Sequence, residues 1–122
     1  MNDQDMDKLW PKYISGEEVL KKDLGKYTAV LIGKIESYPG HVMYDYILKI
    51  IDKDSGELEM CVASETSPVL FEKYPDVRVA GLFDSGGMEH ASLWDMAHQR
   101  FTDGEKFYEF ALEIAKGFMD LP

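Results

Sequence analysis

Residues 27–66 read YTAVLIGKIESYPGHVMYDYILKIIDKDSGELEMCVASET. Three runs rich in β-branched and aromatic residues are joined by two short breaks, Pro39-Gly40 and Asp54-Ser55-Gly56. Side chains of that kind fit a pleated, half-buried surface, and Pro and Gly supply the backbone angles of tight turns. The stretch therefore predicts a three-stranded antiparallel meander. In its first strand Tyr27, Ala29, Leu31, Gly33 and Ile35 share a face. In its second, Val42, Tyr44, Tyr46, Leu48 and Ile50 face the core, and Met43, Asp45, Ile47, Lys49 and Ile51 form a mixed opposite face. In its third, Leu58, Met60, Val62 and Ser64 point inward, while Glu57, Glu59, Cys61, Ala63 and Glu65 read as solvated.

Outward from the meander, the local signals are helical. Ser15-Gly16-Glu17-Glu18 fits a capping box, followed by the narrow stripe Val19, Leu20 and Leu24 and a stop at Gly25. Ser67-Pro68 reads as N-cap and first residue of a two-turn helix ended by Pro75. Val77–Phe83, VRVAGLF, is a fourth strand, broken by Asp84-Ser85-Gly86-Gly87. For residues 88–101 a helix from about Ser92 is the preferred reading and an ordered loop the rival. Thr102-Asp103-Gly104-Glu105 is a second capping box. It opens a long helix to about Met119, with Phe107, Phe110, Ala111, Ile114 and Phe118 on one apolar face. The fold class is α+β: an antiparallel sheet of three to five strands, packed by a long C-terminal helix and shorter N-terminal and central ones. Residues 1–122 read as one domain, with 1–8 frayed and Trp10 anchoring the N-terminal arm.

The chain has 23 acids against 13 Lys plus Arg, a net charge of −10. Residues 1–24, 25–66 and 67–122 carry −2, −3 and −5. That balance argues against nucleic acid and anionic membrane as partners, since both are bound through cations. No apolar run approaches the ~20 residues of a membrane-spanning helix. The start, MNDQDMDK, lacks the apolar core of a secretory signal. The single cysteine, Cys61, excludes an internal disulfide, so the sequence points to the cytoplasm.

Chemistry-bearing motifs are sparse. Asp84-Ser85-Gly86-Gly87 resembles the nucleophile sequence of chymotrypsin-like serine proteases, and His41 and Asp45 precede it in that family's order. Phe83 stands where that family has Gly, and the chain is too short for its double barrel; a two-glycine turn accounts for the motif. Asp52 to Gly56 resembles the start of a calcium loop, but Gly comes one place early and Ala63 replaces the bidentate Glu. Glu89, His90, Asp95 and His98 are the densest set of metal-ligand types, without the spacing that brings two imidazoles to one ion. Neither a catalytic set nor a metal or cofactor is assigned.

The leading functional reading is a small acidic protein that blocks or chaperones a basic partner protein, as immunity proteins and inhibitors do. Its candidate surface is Asp84, Met88, Glu89, Trp94 and Asp95. The alternatives are a small enzyme or ligand-binding domain using residues 84–101, and an assembly module that dimerises through the second face of the sheet.

Overall fold

The computed structural model describes residues 14–36, 40–84 and 89–121; within 84–96 only the backbone is described. Six strands follow one another in sequence and in space: β1 (Glu17–Leu24), β2 (Tyr27–Gly33), β3 (Met43–Asp52), β4 (Leu58–Thr66), β5 (Val77–Asp84) and β6 (Glu89–Gln99). Every neighbouring pair is antiparallel, so the sheet is an uninterrupted meander with β1 and β6 at its edges. Helix α1 (Pro68–Lys73) links β4 to β5, and α2 (Gly104–Lys116) packs on the sheet. The class is α+β, with more strands and fewer helices than the sequence suggests.

The N-terminal helix is replaced by β1. Leu24 and Tyr27 pair across the two-residue turn Gly25-Lys26, with Gly25 at φ 76°. A glycine with positive φ at the first turn position is the pattern of a type II′ hairpin, whose twist matches that of the strands it joins. Pairing with β2 gives the backbone of β1 its hydrogen bonds, so the capping box at Ser15 has no helix to cap. The preferred helix at 92 is likewise β6. Between Arg78 and Ala80 of β5 lies one residue; between their partners His98 and Leu93 on β6 lie four. A second shift follows at His90. These bulges break the two-residue alternation by which a strand is recognised.

The α2 face of the sheet carries the larger core. Leu31, Leu48, Ile50, Val62 and Leu82 meet Phe107, Ala111, Ile114 and Ala115 of the helix. Phe107 is fully buried and stacks on Tyr46 at 5.5 Å, whereas Phe110 is half-buried and Phe118 lies beyond the helix and is exposed. Asp103 rather than Thr102 is the N-cap, its carboxylate accepting from Glu105 N at 2.9 Å. The helix ends at Lys116, short of Met119.

The opposite face is a second core of Ile14, Ile32, Ile47, Cys61, Ala63 and Phe83. Cys61 and Ala63 have no exposed surface, and Glu65 is buried beside them in β4. The solvated face expected for the third run is therefore apolar, because β4 lies in the middle of the sheet and is covered on both sides. Gly81 makes room for Glu65: a Cβ there would lie 2.6 Å from the Glu65 carboxylate.

The β3–β4 turn explains the calcium-like sequence. Asp52 Oδ1 accepts from the backbone N–H groups of Asp54 (2.8 Å) and Ser55 (3.0 Å), and Gly56 takes a φ of 73°. Residues 1–13, Pro39 and the 85–88 connection lie outside the described residues, and with them the Trp10 anchor.

Two outcomes follow. Phe107→Ala should cost about 3–5 kcal/mol and lower the denaturation midpoint well below that of Phe110→Ala, because the fully buried ring leaves the larger cavity. The Ser55 and Asp54 N–H groups hold the Asp52 carboxyl below its usual value, and the Lys53 ammonium does the same to Asp23. A lowered native pKa gives stability that is present above the unfolded value, about 3.8, and lost as pH falls through the native one. The acid limb of a denaturation-midpoint profile should thus be shallower in Asp52→Asn than in the wild type.

Candidate functional site

At the end of the sheet where β1, β3 and β5 begin and β2, β4 and β6 finish, the strand ends open into a cleft of about 630 Å³. Glu17 and Val19 enter from β1, Gly33 to Ile35 from the end of β2, and Met43 to Tyr46 from β3. Thr66, Phe71 of α1, Arg78 and the segment Arg100-Phe101-Thr102 close the circle. The volume lies within the ~300–1,000 Å³ range of small-molecule pockets.

A bulge in β3 builds the polar side of the cleft. Tyr44 pairs with Glu65 and Tyr46 with the next residue of β4, Ser64, leaving Asp45 outside the ladder. The shift sends neighbouring tyrosines to opposite cores: Tyr46 stacks on Phe107, and Tyr44 packs edge-on to Phe83 at 6.5 Å. The shared inward face expected for Tyr44 and Tyr46 is corrected accordingly, and Val42 is exposed.

Asp45 meets both arginines of the chain. Its Oδ2 accepts from Arg78 Nε at 2.6 Å, and its Oδ1 lies 3.5 Å from Arg100 Nε. The Arg78 side chain is 4% exposed, with Nη1 donating to the carbonyls of Pro75 (2.7 Å) and Val77 (3.0 Å). Its guanidinium carbon lies 5.9 Å from the Phe71 ring centroid, within cation–π range. Arg100 differs: its side chain is 55% exposed, and only its backbone is anchored, by N–H donation to Asp76 O at 2.7 Å. Arg78 is buried and held through Nε and Nη1, while Arg100 stands exposed at the cleft.

Below the cleft, Ser64 Oγ lies 3.1 Å from His98 Nε2. The distance suits a nucleophile and its base. Ser64, however, has no exposed surface, and His98 is stacked among Phe101 (5.0 Å) and Phe110 (4.7 Å). The pair gives a buried hydroxyl its partner. On the second face, Lys49 donates to Ile14 O at 2.8 Å, and burial pushes its pKa below the usual lysine value. Among the described residues, no three His, Cys, Asp or Glu side chains gather to hold a metal, and no helix is long and apolar enough to cross a membrane.

The surface expected from sequence falls on the β5–β6 hairpin. Asp84 ends β5 opposite Met60, Glu89 opens β6 opposite Phe83, and Trp94 and Asp95 lie in the wide bulge of β6. Met88 lies outside the described residues. The backbone therefore sets Asp84 and Glu89 near the hairpin tip and Trp94 and Asp95 farther along the same edge. Sequence reasoning missed Arg78 and Arg100 as site residues. The available signal was an arginine inside the apolar run VRVAGLF, which a strand tolerates only where a partner waits.

No family model, curated protein or solved structure matches this chain.

The Asp45–Arg78 pair yields a stability test. Asp45→Asn preserves shape but leaves the Arg78 charge uncompensated in a buried site, and should destabilise the fold by about 3 kcal/mol. Denaturant titration at neutral pH measures it.

Proposed function

We propose that this chain is a small acidic protein-binding module that engages a basic partner protein, in the manner of an immunity protein or inhibitor, along the β6 edge. One observation carries the reading: among the described residues, 89–99 form an edge strand of the sheet, and its sequence holds Glu89 and Asp95 and no Lys or Arg. The other edge, β1, mixes Glu17, Glu18 and Asp23 with Lys21 and Lys22 and has no such single sign.

The physics of the edge supports the same choice. An edge strand offers backbone groups that a partner can pair with. The bulge at 94–97 interrupts that ladder, which limits indiscriminate strand addition and singles out one position along the edge. Tryptophan, the residue type most enriched in binding hot spots, occupies that position as Trp94. Acids around it speed encounter with a basic partner and reject acidic ones.

The test uses the intact chain as bait and then the purified partner. The association rate should fall at least tenfold as salt rises from about 0.05 to 0.5 M, since screening acts over about 10 Å at 0.1 M. Trp94→Ala should raise the dissociation rate by the equivalent of about 2 kcal/mol. A salt-insensitive association rate, with Trp94→Ala and Glu89→Lys binding as the wild type does, excludes this surface.

A further inference from the structure

Five charged side chains line the cleft at the strand ends: Glu17, Lys34, Asp45, Arg78 and Arg100. Four of them pair. Lys34 Nζ lies 3.2 Å from Glu17 Oε2, and Arg78 Nε 2.6 Å from Asp45 Oδ2. Arg100 is the remainder. Its 3.5 Å approach to Asp45 is long for a hydrogen bond, and its terminal amino groups have no partner among the described residues. The cleft thus holds one net positive charge in a chain of net charge −10. Both of the chain's arginines stand here, around one carboxylate.

We propose that this cleft binds a small organic monocarboxylate with an apolar or aromatic body. The two terminal N–H groups of Arg100 form the fork that matches a carboxylate in a bidentate pair. Asp45, pinned by Arg78, is the positioning residue that restrains that fork through Oδ1. Tyr46, Phe71 and Phe101 give the body of the ligand an aromatic wall. A monoanion is specified because one cation is uncompensated; a dianion would leave a negative charge unmatched inside an already acidic molecule. The exposed ring of Phe71 sits where an entering ligand would cover it. The site lies on the cleft and is independent of the β6 edge.

The experiment is an NMR titration of the full chain with benzoate and 4-phenylbutyrate, each run against its neutral amide. The acids should shift the backbone amides of Gly33, Thr66 and Arg100, with Kd on the order of 1 mM for ligands of this size. The amides should bind at least roughly tenfold more weakly. Arg100→Gln should abolish the preference for acid over amide while leaving the melting temperature near that of the wild type, because Arg100 is exposed and weakly paired. Acid and amide binding alike, shifts centred away from the cleft, no shift with either acid, or a preference that survives Arg100→Gln would overturn the assignment. The acid–amide comparison is made on the wild-type chain, so it decides the matter whether or not the variant folds.

Discussion

A strand in the middle of a six-stranded sheet has no solvated side, and β4 bears that constraint most fully. Met60, Val62 and Ser64 turn toward α2, while Cys61, Ala63 and Glu65 turn toward the second core. Burial of apolar surface is the main favourable term in folding. A sheet with two apolar faces therefore needs a cover on each, and α2 supplies one of them. The small Cys61 and Ala63 of β4 share the second core with Ile47 and Phe83 of the flanking strands. The buried Glu65 faces Val79 across the ladder and extends its carboxylate over Gly81, the partner of Ala63, where a Cβ would collide with it.

The same constraint shapes the cleft. Where strands end, the layers that cover the sheet end as well, and polar groups return to the backbone's side. The β3 bulge falls at this boundary and releases Asp45 from the ladder. A carboxylate and a guanidinium so close to the core are tolerable because each meets the other and Arg78 also donates to two carbonyls. Breaking the pair would leave a charge without water or partner. The arrangement holds the entry of β5 against β3, and it leaves Arg100 in the open on the far side of the carboxylate.

The two edges differ in kind. β1 carries charge of both signs, Glu17, Glu18 and Asp23 with Lys21 and Lys22. β6 is protected by irregularity, since its bulges disrupt the row of free backbone groups that would invite another strand. Irregularity at an edge both prevents unselective pairing and creates a distinctive position, and Trp94 and Asp95 occupy it.

The centre of the meander was legible along the chain, because alternation and turn residues there act between neighbours. Gly56 closes the β3–β4 turn, Ser67 caps α1 at Leu70 N, and Phe107, Ala111 and Ile114 recur on one face of α2. Each is a local cause with a local effect. Tertiary structure decided the rest. Residues 17–24 carry helical capping signals yet form β1, because β2 offers a partner along the length of the strand. Strand β6 was illegible because its bulges erase the period of two. The burial of Cys61 and Ala63 follows from the strands placed beside them, not from their own side chains. Asp45, Arg78 and Arg100 meet only when the sheet brings β3, β5 and the residue after β6 together at one end, with β4 between the first two. No periodicity along the chain encodes such a meeting, because it is a property of the sheet's register.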